Sequence, residues 1–184
     1  MEQFFDQLGN GHTDPRPFEF CPYCGTRLTG SDRVTCPTCS FVYHRNPLPG
    51  VSVLIHNGKR QVLLGRRRAT PDLWCLPCGF IEWGENFIEG AHREVFEETG
   101  LAVHIGSVIN VVSNIITPSL ESLVIVLLAE PRSGEPTPGD DITELMWAGE
   151  GELPPLAFQA DVAIISVFFA RALSEIPVDR RFSR

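Results

Sequence analysis

Two hydrophobic periods alternate along the chain from residue 51 onward. VSVLI (51–55) and QVLLGRR (61–67) are nearly continuous apolar, β-branched runs separated by Asn57-Gly58, and they predict a β-hairpin. A loop is predicted through Pro71 and Trp74 to Gly79. Over residues 85–99 the apolar positions Phe87, Ile88, Ala91 and Val95 fall at helical spacing with charges between them, and Gly100 supplies the stop. VHIGSVINVVS (103–113) and ESLVIVLLAE (121–130) predict strands, and EPRSGEPTPGDD (130–141) a Pro/Gly-rich loop. ITELMWA (142–148) predicts another strand, and residues 156–175 a second amphipathic helix. Strands and helices mix without strict alternation, which implies an α/β fold with a mixed sheet packed between helices.

The first fifty residues have a different texture. Residues 1–17 predict a loosely ordered tail, and RNPLPG (45–50) has the composition of a linker. Between them lie CPYC (Cys21, Cys24) and CPTC (Cys36, Cys39), with TGSD as a turn. Two C-x2-C pairs this close predict Zn²⁺ on four thiolates, in preference to redox pairs or disulfides. The expected organisation is a tail over 1–17, a zinc ribbon over 18–46 and a main domain over 47–184. Cys75 and Cys78 form a third C-x2-C without a fourth partner pair. They are expected to be small semi-buried side chains, with a redox or metal role as the alternative.

Charge narrows the function. The formal net charge is −8, which disfavours a general nucleic-acid binder, although Arg66–Arg68 and the tail Arg180, Arg181 and Arg184 could make a local basic patch. The N-terminus lacks the pattern of a signal peptide. The longest apolar stretches, Leu123–Ala129 and Val162–Ala170, fall well short of the ~20 residues that span a bilayer. A soluble, cytoplasmic protein without membrane contact is expected.

REVFEETGL (93–101) stands out against this background. Glu94, Glu97 and Glu98 share one helix face in the last turns, where like charges repel and the helix dipole is negative. A solvated acidic face is one reading. The other is a divalent cation such as Mg²⁺, which takes oxygen ligands and shares them with substrate phosphates.

The whole stretch GFIEWGENFIEGAHREVFEETGL (79–101) resembles the signature of the Nudix hydrolases at each of its specified positions. The resemblance implies an α/β/α sandwich with a mixed sheet, and hydrolysis of nucleoside diphosphates linked to another group. It implies Mg²⁺ or Mn²⁺ held by Glu94 and Glu98, with Glu97 as a ligand or as the base that activates water. Glu85 and Arg93 resemble the pair that fixes the loop against the helix, and Gly79 and Gly100 are expected to permit tight turns. Glu144 is the candidate for a ligand or base outside the signature, against a surface role at a strand edge; Glu82 is a weaker candidate.

A zinc ribbon ahead of such a domain resembles two subgroups, the NADH pyrophosphatases and the plant-type FAD/ADP-ribose pyrophosphatases. The SQPWPFPxS motif of the former is absent from SNIITPSLESLVIVLLAE (113–130). Tyr43 with Asn46-Pro47, LWCLPCGFIEWGE, Pro138-Gly139 and ELPPLAF (152–158) resemble the latter. The expected substrates are therefore FAD or ADP-ribose, with release of AMP. NADH, nucleoside triphosphates and RNA caps are the alternatives, and a non-catalytic nucleotide sensor is a more distant one. Trp74, Phe80, Trp83 and Phe158 are candidates to stack on a base, and Arg66, rather than its neighbour Arg67 on the opposite strand face, to meet the phosphates. A small-molecule nucleotide is the expected partner, nucleic acid is not, and a homodimer is compatible with the resemblance.

Overall fold

The computed structural model describes residues 18–29, 33–44, 46–117 and 120–178. The predicted tail over 1–17, most of the TGSD turn, Pro118-Ser119 and the C-terminal arginines lie outside the described residues. The chain divides into two compact units, Met1–Leu48 with Asn114–Ser122, and Pro49–Ser113 with Leu123–Arg184.

In the first unit β1 (Arg33–Thr35) pairs antiparallel with β2 (Val42–His44). Among the described residues the buried cluster is Cys21, Leu28 and Cys36, with Cys39 packed against it. That described cluster, one leucine and three thiols, buries little apolar surface to set against the entropy of ordering the chain. A cation joining the thiolates would make up the difference.

The remaining elements, which lie in the second unit except for Leu48 and the 114–122 ends of β7 and β8, are β3 (Leu48–Ile55), β4 (Val62–Arg67), β5 (Trp74–Cys75), β6 (Cys78–Phe80), α1 (Phe87–Thr99), β7 (Ala102–Thr117), β8 (Leu120–Ser133), β9 (Ile142–Ala148), α2 (Gln159–Phe169) and β10 (Ile176–Pro177). One sheet has the order β10-β7-β8-β3-β6, the other β5-β4-β9. Alternate residues of β3 and β4 feed two cores. Val51, Val53, Ile55 and Leu63 meet Ile88, Ala91 and Val95 of α1, whereas Leu54, Val62 and Leu64 meet Ile164, Ile165 and Phe169 of α2. Helices thus cover both faces, the sandwich expected from the sequence.

The predicted hairpin is corrected. Its turn exists: the Asn57 side chain accepts hydrogen bonds from the N–H groups of Lys59 and Gln61 at 3.0 and 3.1 Å, and Arg60 (φ 58°), not Gly58, takes the left-handed conformation. The two strands then part into different sheets, with the bridge His56–Val62 and the Asn57 N to Gln61 O bond at the turn between them. Neither strand has a polar face to give to water, so each needs strand partners and cover on both sides.

The second helix is also shorter than the predicted 156–175. It ends at Ala170, with Arg171 at φ 57° and the Arg60 guanidinium donating to the Phe169 carbonyl at 2.7 Å. The freed chain adds β10 to the edge of β7, Pro177 opposite Ser107. Edge pairing there wins over helical continuation.

Helix α1 starts at a capping box. Asn86 accepts from Ile88 N and Glu89 N, and the Glu89 carboxylate accepts from Asn86 N. It ends at Gly100 (φ 68°), as its glycine predicts. Asn86→Ala should cost about 1 kcal/mol in urea unfolding with little change in slope; an unchanged midpoint would show that the box does not set this helix.

Candidate functional site

The apolar stripe of α1 changes chemistry partway along the helix. Ile88, Ala91 and Val95 face the core, and the same buried side continues as Glu94 and Glu98. Glu98 is 2% exposed and Glu94 8%, whereas the Glu97 side chain is 46% exposed. One glutamate of the three therefore faces solvent and two do not.

Arg93 holds the group together. Its guanidinium makes a two-pronged bond to Glu85, Nε to Oε1 at 2.7 Å and Nη2 to Oε2 at 2.9 Å. Nη2 also donates to the Phe80 carbonyl at 2.9 Å, and Nη1 to Glu94 at 2.7 Å and Glu97 at 3.1 Å. The Arg93 hydrogen bonds hold the Glu85 carboxyl down at about 2, and Glu85 first among the acids pushes Arg93 further up.

Glu94 and Glu98 respond differently. Burial pushes Glu94 up despite Arg93. Burial pushes Glu98 up to about 11, with the Cys78 thiol and the Asp141 carboxyl acting the same way. A single backbone donor opposes this, Cys78 N to Glu98 Oε2 at 2.9 Å.

The surroundings fit a hard cation. The donors are carboxylate oxygens, and a Cβ at Gly79 would overlap the Glu94 carboxyl, so glycine leaves that carboxyl its place. Gly79 is thus needed for space. Its expected role in a tight turn is corrected, because it lies in β6 opposite Val51 and outside the positive-φ glycines. Asp141 Oδ1 is buried without a hydrogen-bond partner. Asp141 was not anticipated from sequence; the Asp140-Asp141 pair closing the 130–141 loop is the signal that could have found it.

That loop also relieves the helix end. Thr137 N donates to Thr99 O at 2.8 Å and Gly139 N to Glu98 O at 3.1 Å, satisfying terminal carbonyls that would otherwise lack partners.

Arg66, Trp74 and Glu144 form a second group. Glu144 lies opposite Arg66 in the β4–β9 ladder and pairs with it at 3.2 Å, without the alignment of a hydrogen bond. The Arg66 guanidinium sits 5.0 Å over the Trp74 ring. By strand alternation these residues share the face of Leu64, Met146 and Ala148, the α2 side of the sheet. Trp74 is 5% exposed and belongs to the core, so its expected role as a stacking platform is corrected: it supports Arg66. Phe80 is exposed and adjoins the Arg93 cluster through its carbonyl. Arg67 turns inward, its Nη2 3.6 Å from Asp141 and its guanidinium over Phe158.

In the ribbon, Cys21 and Cys39 sulfurs are 3.7 Å apart and Cys24 and Cys36 sulfurs 3.4 Å apart. All four lie within 4.8 Å of one another, near the ~3.8 Å separation of thiolates around tetrahedral zinc. Each knuckle closes alike, Gly25 N to Cys21 O and Ser40 N to Cys36 O, with residues 25 and 40 at positive φ.

A family model described as the NUDIX domain matches residues 46–168. The chain belongs to the Nudix family. The NAD-capped RNA hydrolase NudC of Pseudomonas aeruginosa is 33% identical over 162 residues, 83% of this chain and 56% of its own length. The NAD-capped RNA hydrolase NudC of Deinococcus radiodurans is 31% identical over 150 residues, 77% and 52% of the two chains. The crystal structure of a NUDIX hydrolase from Nitrosomonas europaea aligns with a TM-score of 0.73 at 27% identity, covering 84% of this chain and 92% of that one. The chain spans about half the length of the curated relatives it matches. Those relatives are named for NAD-capped RNA, whereas the ribbon and its flanking motifs led to an expectation of FAD or ADP-ribose. Among the described residues no helix is long and apolar enough to cross a membrane.

The raised Glu98 sets a pH dependence. Between 4.5, its ordinary value, and about 11 the folded protein holds a proton that the unfolded chain has released. Native binds more protons than unfolded, so stability falls as pH rises through that window. Metal-free protein should melt at lower temperature at pH 8 than at pH 5.5, and Mg²⁺ should raise the melting temperature more at pH 8. Glu98→Gln should flatten both trends; retained slopes would assign them elsewhere. Gly79→Ala should displace Glu94 and weaken Mg²⁺ binding by roughly 10–100-fold with the circular dichroism spectrum intact.

Proposed function

We propose that this protein is a divalent-metal-dependent pyrophosphatase that hydrolyses the diphosphate link of NAD-type dinucleotides, free or at the 5′ end of RNA, releasing AMP from the free substrate. The observation that carries the reading is the pair of buried carboxylates Glu94 and Glu98, with Arg93 holding Glu94 beside the exposed Glu97 and Cys78 N holding Glu98. The names of the relatives support the substrate class and shift it from FAD and ADP-ribose toward the NAD and RNA-cap alternatives. They also weigh against the expectation that nucleic acid is no partner.

Glu94 and Glu98 are the proposed ligands of Mg²⁺ or Mn²⁺, and Cys21, Cys24, Cys36 and Cys39 those of a structural Zn²⁺. A divalent cation at the carboxylates would lower the charge of the diphosphate and favour in-line attack by water. Arg93 fixes Glu97 Oε2, and the Glu97 carboxylate takes the proton of the attacking water. The water oxygen bonds to one phosphorus as the bridging P–O bond breaks, and the other phosphate leaves as a monoester. Arg66 is the proposed cation toward the phosphates, Phe80 a contact for a base, and Glu144 a second acid that Arg66 orients. The ribbon over 18–46, the catalytic domain over 47–184 and a homodimer complete the proposal.

The test is turnover by zinc-loaded protein with Mg²⁺ or Mn²⁺ on NAD⁺, NADH, an NAD-capped RNA oligomer, FAD, ADP-ribose and nucleoside triphosphates. AMP is expected from the free NAD forms and monophosphorylated RNA from the capped oligomer, with Glu97→Gln lowering kcat by about 10²–10⁴. Turnover confined to nucleoside triphosphates would overturn the substrate class, and an active Glu97→Gln variant the assignment of the base.

A further inference from the structure

Trp83 is fully exposed, at 103% of its reference surface. The other two tryptophans behave differently: Trp74 is buried in the second core and Trp147 packs against the first. Trp83 belongs to neither. Its loop does not need the ring to close, since Glu85 N donates to Glu82 O at 3.2 Å, Glu82 N to Glu85 Oε2 at 3.0 Å, and Gly84 takes φ 93°. The largest apolar side chain in the repertoire is left in water at a turn that polar groups and one glycine already specify.

The ring borders an open cleft of about 500 Å³ lined by Pro49, Ile81, Glu82, Trp83, Gly84 and Glu85. That volume suits a nucleotide-sized ligand. Among the described residues the lining contains two carboxylates and no cation, which disfavours a diphosphate there and suits a neutral or cationic planar ring. It also adjoins the carboxylate site. Glu85 lines the cleft and binds Arg93, and Arg93 binds Glu94 and Glu97.

We propose that Trp83 is a stacking platform for one of the two planar rings of a dinucleotide whose diphosphate lies at Glu94, Glu97 and Glu98. This rests on the proposed pyrophosphatase reading for the ligand. The ring is either the adenine or the group beyond the second ribose, and the two share the chemistry that an exposed indole face recognises.

The test uses zinc-loaded Glu97→Gln protein with Mg²⁺, so that binding is read without turnover. NAD⁺ should quench tryptophan emission in this background, and Trp83→Phe should remove most of the quenching while keeping affinity within a few-fold. Trp83→Ala should raise the Kd for NAD⁺ by about tenfold, as expected for loss of one base–aromatic stack. In the active protein the same change should fall on KM more than on kcat. ADP-ribose separates the two rings: a tenfold loss for ADP-ribose as well assigns adenine, whereas a loss for NAD⁺ alone assigns the nicotinamide. Unchanged NAD⁺ and ADP-ribose affinities in Trp83→Ala would overturn the proposal, and altered self-association with unchanged affinity would assign the ring to a protein contact instead. If the unmutated protein turns over no dinucleotide but binds NAD⁺ through Trp83, the platform stands and the catalytic reading falls. If turnover is normal and Trp83→Ala has no effect, only the platform falls.

Discussion

The arrangement of the carboxylates depends on one guanidinium. Arg93 reaches the Phe80 carbonyl, both oxygens of Glu85, and one oxygen each of Glu94 and Glu97. These bonds tie the loop before α1 to the acidic end of the helix, in a geometry that a lysine's single ammonium could not reproduce. They also change the electrostatics of the helix end. Three glutamates that would repel one another are divided into a half-exposed one and two buried ones, with a cation alongside the first two.

Glu98 is not held by Arg93, and its support comes from farther away. The link Leu76–Pro77–Cys78 is pinned at each residue: Leu76 N to Asp161 of α2 at 3.1 Å, Pro77 O by Val53 of β3 at 2.8 Å, and Cys78 N to Glu98 of α1 at 2.9 Å. Burial pushes Asp161 up to about 7, against the pull of the Leu76 N–H and the charge of Arg67. Arg67 in turn reaches Cys75 and Asp141. Elements from both sides of the sheet therefore converge on the chain segment that positions Glu98. Cys75 and Cys78 belong to this buried packing, in line with their expected role as small semi-buried side chains.

Parts of this were legible in the sequence because they are local. The cysteine spacing and the Gly100 stop act within a few turns of chain and were found in place, and the pairing of Glu85 with Arg93, implied by the family resemblance, is present as well. The apolar side of α1 was legible as well, in Ile88, Ala91 and Val95, but the three glutamates expected on one face divide, Glu94 and Glu98 joining the buried side and Glu97 facing solvent. Other features were not. The parting of β3 and β4 depends on β8, β6, β9 and β5 offering better partners than the strands offer each other. The inward turn of Arg67 depends on Asp141 and Phe158, residues more than seventy positions away.

By itself the sequence determined the family signature, the two thiolate knuckles and the mixed α/β composition, because each is written in the local pattern of residues along the chain. Only the tertiary structure decided which acidic groups are dry. Desolvation is a property of everything packed around a group. It separates Glu98 from Glu97, brings the unpartnered oxygen of Asp141 into the site, buries Trp74 beneath Arg66 and leaves Trp83 in water.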